Sequence, residues 1–288
     1  MKRIICLLIF ICIILPNACA NEQRVLFGDT FTFENNRVLD GAEDIAIEDV
    51  QLSWAKLPTS AQKAARYSTI GENTEQPTDI YIIDEAEKGP IIWIVGGTHG
   101  DERAGIFAAT ALLNLEISKG TIYIVPCLNT WGFENMQRRT KKGNDINRAY
   151  SHLDSPKDSS LLAQGLWDAI VQTKPLLVID LHEAAYSKEG QDFLGKTIIY
   201  TEVHGIEPLF FSLLEATETD KLPFQLTGPG VKGSLNQELS TIEGIPVFTV
   251  ETFRGYPLSN RVKDQLAFVR FVLEFYEMIE FFDNKTFL

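Results

Sequence analysis

A chain of 288 residues, 45% of them hydrophobic, is long enough to form one domain with a well-buried core, and it does not require two. Its formal net charge of −13 leaves no basic stripe of the kind that binds nucleic acid or an anionic membrane surface. The acidic balance favours solubility and says little about the substrate.

The first twenty residues have the three parts of a secretory signal peptide. Two basic residues precede an apolar run, residues 4–15, that is too short to span a bilayer, and an Ala-x-Ala cleavage site follows. We therefore expect residues 1–20 to be removed, residues 21–288 to form a single zinc-hydrolase domain, and the protein to be periplasmic or secreted. A lipoprotein anchor on Cys19 is the alternative to a soluble product.

Cysteine usage predicts no internal disulfide in the mature chain. Three of the four cysteines lie within the predicted signal peptide, which leaves Cys127 alone. Because Cys127 follows an apolar run, we expect it to be a small residue of the core.

The predicted elements before residue 90 are short. Residues 21–68 are mixed, with an alternating piece at 24–27 and a candidate helix over 58–66. Residues 69–84 are typical of a hairpin whose turn is marked by Gly and Pro, with its second strand at 79–83.

From residue 91 onwards, predicted strands alternate with predicted helices. Apolar runs predict strands at 91–95, 121–126, 175–181 and 245–250. Further runs predict helices at 104–117, 158–173, 205–217 and 258–282. A polar loop at 129–150 is longer than a compact domain usually carries without a functional role. The alternation predicts an α/β fold, with a mixed, mostly parallel central sheet and helices on both faces.

The stretch IIWIVGGTHGDERAG, residues 91–105, predicts a strand, a glycine break and a helix, and it places His99 and Glu102 on the break. An imidazole and a carboxylate three positions apart can face one point where a turn runs into a helix, so a short segment can supply two ligands to Zn²⁺. Sites in open α/β sheets gather at the carboxyl ends of neighbouring strands, which makes His182 the expected third ligand. A lone His-x-x-Glu is more often a solvated surface turn, and the second segment is what favours a metal site.

Three protein ligands leave a fourth position open on Zn²⁺, as in catalytic sites. Such an ion makes water a usable nucleophile and polarises a carbonyl, so the site also needs a proton acceptor and positive charge. Glu251, which follows the last apolar run, could accept the proton and return it to the leaving amine. The alternative for Glu251 is a salt-bridged or solvated residue at a strand end.

Positive charge is concentrated in the polar loop, whose residues 135–150 include Arg138 and Arg148. Guanidinium groups bind carboxylates in two-pronged fashion and stabilise oxyanions, so this loop suits an anionic substrate. A solvated charge run is the alternative, and it is the interpretation we prefer for Lys141 and Lys142.

In this order, the motifs resemble those of the zinc carboxypeptidase superfamily, including the succinylglutamate desuccinylase/aspartoacylase group and bacterial murein-peptide amidases. The resemblance rests on His99-Gly100-Asp101-Glu102, Asp145-Ile146-Asn147-Arg148, Asp180-Leu181-His182 and Thr249-Val250-Glu251. It implies a zinc-carboxypeptidase-like fold, with His99, Glu102 and His182 as zinc ligands and Glu251 as general base.

The resemblance also implies roles in the polar loop. Arg138 would polarise the scissile carbonyl, and Asn147 with Arg148 would hold a substrate carboxylate. Asp145 would orient the imidazole of His99 and so fix its tautomer.

Two features depart from the family pattern or match it loosely. The mobile tyrosine of digestive carboxypeptidases has no clear counterpart, and Tyr256 is the nearest candidate. The Gly-rich loop at 227–234 is similar to one in murein-peptide amidases, with an ordinary Gly/Pro connection as the alternative. His152 and His204 match no motif, and we expect surface or hydrogen-bonded histidines there.

The leading hypothesis is a secreted zinc-dependent metallo-carboxypeptidase or amidohydrolase that cleaves an amide bond next to a free carboxylate. Export favours a peptide or murein-peptide substrate. A deacylase of N-acyl amino acids, like the succinylglutamate desuccinylases and aspartoacylases, is the alternative. A third hypothesis, a non-catalytic binding domain, predicts that a ligand or the base is lost, and none is lost here.

Overall fold

A computed structural model of the chain describes residues 37–40, 43–46, 64–72, 74, 76–154, 157–184 and 194–279. The predicted signal peptide and the alternating piece at 24–27 lie outside these ranges, so the division into residues 1–20 and 21–288 stays a prediction. No helix in the described ranges is both long enough and apolar enough to cross a membrane.

Strands and helices alternate through most of the described chain. The strands are β1 Arg37–Asp40, β2 Glu43–Ala46, β3 Ala65–Ile70, β4 Thr78–Asp84, β5 Ile91–Gly96, β6 Thr121–Val125, β7 Leu177–Ala184, β8 Thr197–Tyr200, β9 Gln225–Thr227 and β10 Val247–Phe253. The α-helices are α1 Arg103–Ala111, α2 Thr130–Glu134, α3 Asp158–Thr173, α4 Glu207–Glu218, α5 Leu235–Ile242 and α6 Leu258–Phe275. Single 3₁₀ turns occupy Leu112–Asn114 and Ile146–Arg148.

The central sheet has eight strands in the order β3-β4-β6-β5-β7-β10-β8-β9, and β1 with β2 forms a separate antiparallel pair. The four middle strands, β6, β5, β7 and β10, are parallel to one another. Strands β3, β4 and β8 pair antiparallel with their inner neighbours. The sheet is therefore mixed around a parallel centre, as predicted, and the carboxyl ends of its middle strands meet at one edge.

The pleat of the sheet divides the core into two layers. On β5, Ile92 and Ile94 pack with residues of α1, α4 and α6, whereas Trp93 and Val95 pack with residues of α3 and α5. Successive side chains of a strand point to opposite faces, so a run that is apolar throughout is buried on both sides. Helices thus cover both faces of the sheet, which confirms the predicted fold class.

Several predicted boundaries were wrong. The candidate helix at 58–66 is contradicted at its described end, because Ala65 and Arg66 begin β3. The helix predicted at 104–117 ends at Ala111 and tightens into a 3₁₀ turn, and the helix predicted at 258–282 ends at Phe275. Element ends are set by local capping and packing, which hydrophobic periodicity does not encode.

The strands that carry the candidate site residues are longer than predicted. The apolar runs at 175–181 and 245–250 continue as β7 to Ala184 and as β10 to Phe253. His182 and Glu251 therefore lie inside strands and not in the loops after them. Consecutive polar residues, His182 and Glu183 in β7 and Glu251 and Thr252 in β10, interrupt the apolar runs from which the strands were predicted.

Several further elements were missed. Strands β8 and β9 are short, and α5 lies in a mostly polar segment. Helix α5 begins after Ser234, whose hydroxyl accepts a hydrogen bond from the backbone N–H of Gln237 and so satisfies one of the free donors of the first turn. The polar loop at 129–150 also contains α2 and a 3₁₀ turn.

We expect Gly105→Ala to destabilise the protein although alanine favours helices. A Cβ atom at Gly105, in α1, would lie 2.6 Å from the backbone oxygen of Leu181 in β7, so α1 could not pack as closely on the strand that carries His182. Overpacking of this kind costs about 1–3 kcal/mol, whereas the helix preference returns at most about 1 kcal/mol. Urea unfolding of the variant measures the difference.

Gly165→Ala, in α3, is the matched control. The three atoms nearest to a Cβ atom there all belong to the side chain of Ile70, the first at 2.6 Å, and a side chain can shift more easily than a backbone carbonyl. Equal stabilities of the two variants would contradict the packing described for α1.

Candidate metal centre

Two short segments bring three ligand-type side chains to the carboxyl edge of the sheet. After β5, Gly97 adopts a positive φ of 65°, and the turn that follows enters α1 with Glu102 at its N-cap. Gly100 lies so close to α2 that a Cβ atom would be 2.1 Å from the backbone carbon of Gly132. The neighbouring strand β7 supplies His182. Gly97 and Gly100 thus allow the tight turn and the close approach to α2 that place His99 beside His182.

His99, Glu102 and His182 offer ligand atoms that all lie within 4.8 Å of one another, and all three residues are buried. The Nδ1 atom of His99 is 2.7 Å from Oε1 of Glu102. The Nδ1 atom of His182 is 2.8 Å from Oε2 of Glu102 and 3.2 Å from Nδ1 of His99. Each imidazole therefore turns the same nitrogen towards the shared carboxylate.

This donor set fits a metal ion. Two ligands of a tetrahedral Zn²⁺ site, each about 2.0–2.1 Å from the ion, are about 3.3 Å apart, close to the 3.2 Å between the two Nδ1 atoms. Two imidazoles and one carboxylate are also a combination that catalytic zinc sites use. The group could accordingly hold one ion through His99, Glu102 and His182.

The far side of each imidazole is held by a carboxylate. The Nε2 atom of His99 lies 3.1 Å from Oδ1 of Asp145, and Nε2 of His182 lies 2.9 Å from Oδ2 of Asp180. Thr98 donates a hydrogen bond to the other oxygen of Asp180, at 3.3 Å. A carboxylate on Nε2 accepts the proton of that nitrogen, which turns Nδ1 towards the position of a metal and fixes the ring orientation.

Asp145 was expected in this position from the family resemblance, whereas Asp180 was missed. A signal was present, because residues two apart on a strand share a face, and the strand ends Asp180-Leu181-His182.

The ionisation of the centre follows from these contacts. Burial alone would raise the pKa of the Glu102 carboxyl, but His99 and His182 hold it well below its usual value. Burial alone would lower the pKa of His182, but Asp180 and Glu102 raise it well above its usual value. For Asp145, hydrogen bonding to His99 and the positive charges nearby outweigh burial and lower the pKa. The centre therefore favours positive charge between its carboxylates.

Glu251 lies on β10 directly opposite His182 in the parallel β7–β10 register. Its Oε2 atom is buried and accepts no hydrogen bond from the part of the chain that the structure describes. Burial, together with the nearby charges of Glu102 and Asp180, raises the pKa of Glu251 to about 7 although the two histidines oppose the shift. A carboxyl group with a pKa near neutral pH, beside a cluster of potential metal ligands, fits the role of a proton acceptor. It fits the alternative, a solvated residue at a strand end, less well.

The polar loop delivers Arg138 to the centre. Its Nη1 atom donates a hydrogen bond to Oε1 of Glu102 at 2.9 Å, and its Nε atom lies 3.5 Å from Oδ2 of Asp145. The side chain keeps 41% of its surface exposed, so it has room to turn towards a ligand. Lys141 and Lys142 are exposed, as expected for a solvated charge run.

Asn147 and Arg148 sit on the 3₁₀ turn beside Asp145. Asn147 is buried, and its side-chain oxygen accepts a hydrogen bond at 3.0 Å from the N–H of Leu235, the first residue of α5. Arg148 is exposed, and its Nη1 atom donates to the backbone oxygen of Asn147 at 2.6 Å. The structure thus brings both residues close to the centre without placing either among its ligands.

The remaining candidates lie outside the centre. Tyr256 is 45% exposed, and its ring lies 5.2 Å from Nζ of Lys196. His152 and His204 are exposed, and Cys127 is buried in the core, all as expected. The Gly-rich loop at 227–234 runs from β9 to α5 and packs on β8, where a Cβ atom at Gly228 would lie 2.0 Å from the backbone oxygen of Tyr200.

Arg254 is a further residue that the sequence did not suggest. It follows β10 directly and donates a hydrogen bond to Asp101 at 2.9 Å, with a second guanidinium nitrogen 3.6 Å from Glu102. Arg254 lies three residues after Glu251, and no sequence motif at that spacing predicts that its side chain contacts the turn after β5.

In the metal-free protein, the titration of Glu251 should make stability fall as pH rises from about 4.5 to about 7. The folded pKa, about 7, lies above the usual value of 4.5, so the folded chain binds this proton more tightly than the unfolded chain does. The stabilisation is complete below the lower value and is lost as pH passes the higher one. Urea unfolding of the parent and of Glu251→Gln, both with chelator, should show a shallower pH dependence for the variant. Identical dependences would show that this carboxyl is not buried.

Comparison with known proteins agrees with this geometry. Residues 88–195 match the family model described as the succinylglutamate desuccinylase/aspartoacylase catalytic domain. The matched segment includes His99, Glu102, Arg138 and His182 and stops before Glu251. No curated protein is significantly similar to the chain in sequence.

Solved structures share the fold at low sequence identity. The tripeptide-bound cell shape determinant protein Csd4 from Helicobacter pylori has a TM-score of 0.61 and 19% identity, over 72% of this chain and 57% of Csd4. The succinylglutamate desuccinylase/aspartoacylase from Rhodobacter sphaeroides has a TM-score of 0.58 and 17% identity, over 80% of this chain and 70% of that one. The product-bound ectoine utilization protein EutE (DoeB) from Ruegeria pomeroyi has a TM-score of 0.59 and 17% identity, over 79% and 71%.

This chain therefore spans little more than half the length of Csd4, and at these identities the structural matches establish the fold alone. The predicted resemblance to the succinylglutamate desuccinylase/aspartoacylase group is therefore confirmed over residues 88–195, and the solved structures confirm the fold that this resemblance implies.

Proposed function

We propose that this protein is an exported, zinc-dependent hydrolase that cleaves an amide bond next to a free carboxylate in a peptide or murein peptide. One observation carries the proposal: the ligand atoms of His99, Glu102 and His182 lie within 4.8 Å of one another, and Glu251, whose buried Oε2 has no hydrogen-bond partner among the described residues, lies opposite His182 on the neighbouring strand. A set of metal ligands beside a carboxyl group whose pKa lies near neutral pH is the minimum that metal-assisted hydrolysis of an amide requires.

His99, Glu102 and His182 would hold the zinc ion. Bound there, Zn²⁺ supplies Lewis acidity, which makes water acidic enough to lose a proton near neutral pH and polarises a carbonyl. Asp145 and Asp180 keep the two Nδ1 atoms turned inward through their contacts with Nε2. The ligand geometry therefore does not have to be assembled when the ion binds.

Glu251 moves the proton. As a carboxylate it accepts a proton from the attacking water, and as the acid it returns that proton to the nitrogen of the leaving amine. In the metal-free chain, burial raises the pKa of Glu251 to about 7, and a bound cation would lower this pKa and favour the carboxylate form that accepts the proton.

The basic side chains bind and polarise the substrate. Arg138 contacts Glu102 through one nitrogen and remains partly exposed, so its guanidinium can turn to the scissile carbonyl and stabilise the developing oxyanion. Arg148, exposed beside Asn147, can take the free carboxylate of the substrate. The N–H of Leu235 donates a hydrogen bond to the side-chain oxygen of Asn147. The side-chain nitrogen of Asn147 therefore faces away from α5, where it can act as a donor.

Deacylation of an N-acyl amino acid is the second candidate, and the family match favours it. Residues 88–195 match the succinylglutamate desuccinylase/aspartoacylase domain. The tripeptide recorded with Csd4 supports a peptide instead. The predicted signal peptide at residues 1–20 also supports the peptide proposal, because it would place the enzyme where peptides and murein are found; an anchor on Cys19 would leave that location unchanged.

Glu251→Gln should keep its zinc and lose about 10²- to 10⁴-fold in turnover, since it removes the proton acceptor and leaves the ligands intact. The measurement combines zinc content, expected near one ion per chain for parent and variant, with hydrolysis followed by mass spectrometry. The panel contains murein tripeptides and tetrapeptides, C-terminal dipeptides and N-acyl amino acids.

Glu243→Gln, at an exposed glutamate after α5, is the matched control and should behave as the parent does. Turnover by Glu251→Gln at the parental rate would remove Glu251 from the mechanism. A panel in which only N-acyl amino acids are cleaved would replace the peptide proposal by the deacylase one.

A further inference from the structure

Arg254 joins the turn that carries Glu102 to the strand that carries Glu251. Its backbone N–H donates to the oxygen of Ala184 at 3.2 Å, so the β7–β10 pairing continues one residue past β10. The position of the Arg254 backbone is thereby fixed by both strands of the centre.

The side chain of Arg254 reaches from this point to the turn between β5 and α1, which carries His99 and Glu102 and is called the metal-binding turn below. Its Nη1 atom donates to Oδ2 of Asp101 at 2.9 Å, and its Nη2 atom lies 3.6 Å from Oε1 of Glu102. Asp101 and Arg254 are each only 22% exposed. Because both side chains are largely shielded from water, loss of one partner would leave the charge of the other without compensation.

Arg138 and Arg254 approach the same oxygen of Glu102 but differ in what holds them. Arg138 is 41% exposed, and it lies closer to the oxygen, at 2.9 Å. Arg254 is fixed by Asp101, the residue directly before Glu102. Arg138 can therefore leave for a substrate while Arg254 stays.

We propose that Arg254 and Asp101 form a positioning pair that holds the metal-binding turn against β10 and so sets where Glu102 lies relative to Glu251. The inference rests on the proposed function, since it concerns the same metal centre. It assigns Arg254 no contact with substrate. The pair acts through Glu102, whose carboxylate must face both imidazoles.

Electrostatics alone predicts the opposite effect on metal binding. A guanidinium close to a cation site repels the cation, so its removal should strengthen zinc binding if charge were all that mattered. If Arg254 acts by positioning, its removal should weaken zinc binding, because outer contacts that orient ligands are worth about 10- to 100-fold in affinity. The sign of the change separates the two explanations.

The test is the zinc affinity of Arg254→Gln, measured by competition with a chromophoric chelator on protein first stripped of metal. We expect affinity about 10- to 100-fold below that of the parent. Arg66→Gln is the matched control, because Arg66 also pairs with an aspartate, Asp79 at 3.0 Å, but on the exposed β3–β4 edge. Its zinc affinity should equal that of the parent.

Two more variants keep the inference testable if Arg254→Gln folds poorly. Arg254→Lys keeps the charge but not the forked geometry and should recover part of the lost affinity. Asp101→Asn should weaken binding as well, and adding Arg254→Gln to it should cost less than about threefold more, because members of a pair are not additive. With zinc saturating, kcat should fall while KM changes little.

Zinc affinity in Arg254→Gln equal to or above the parental value would overturn the inference, and so would full additivity with Asp101→Asn. In either case the parent would still bind zinc and hydrolyse its substrate, so the proposed function would stand. A parent that binds no zinc would overturn both.

Discussion

The structure depends on an excess of buried negative charge around two imidazoles. Glu102 faces the Nδ1 atoms of His99 and His182, while Asp145 and Asp180 hold the Nε2 atoms. Burying charged groups is costly unless opposite charge is close. The buried carboxylates therefore favour a cation at the point where these side chains meet. The inward-facing nitrogens, the lowered pKa of Glu102 and the raised pKa of His182 all follow from this preference.

The sequence predicted the parts of this arrangement that local pattern determines. Apolar runs gave the central strands and most helices, and the rule that sites form at the carboxyl ends of neighbouring strands paired His99 with His182 before any geometry was known. The structure brings both residues together with Glu102. Its register then sets Glu251 directly opposite His182. That side chains so far apart in the chain meet at one point follows from parallel strands sharing one edge.

The remainder was not predictable because it depends on contacts between segments that are distant in sequence. Strands β7 and β10 were predicted to stop early, since adjacent polar residues end the apolar run in each of them. Asp180 was missed although it shares a strand face with His182. Arg254 carries no local signal, because its role comes from reaching Asp101, 153 positions away. Helix α5 was missed because its stability comes from packing on the sheet and from the cap at Ser234, and its own sequence is largely polar.

X-ray diffraction from crystals grown with zinc, recorded on both sides of the zinc absorption edge, would show whether His99, Glu102 and His182 share one zinc ion. We expect one anomalous peak about 2.0–2.2 Å from Nδ1 of His99, Nδ1 of His182 and a carboxylate oxygen of Glu102. The two Nε2 atoms should remain on Asp145 and Asp180. A peak elsewhere with none between these three residues, or imidazoles turned so that Nε2 faces inward, would contradict this expectation.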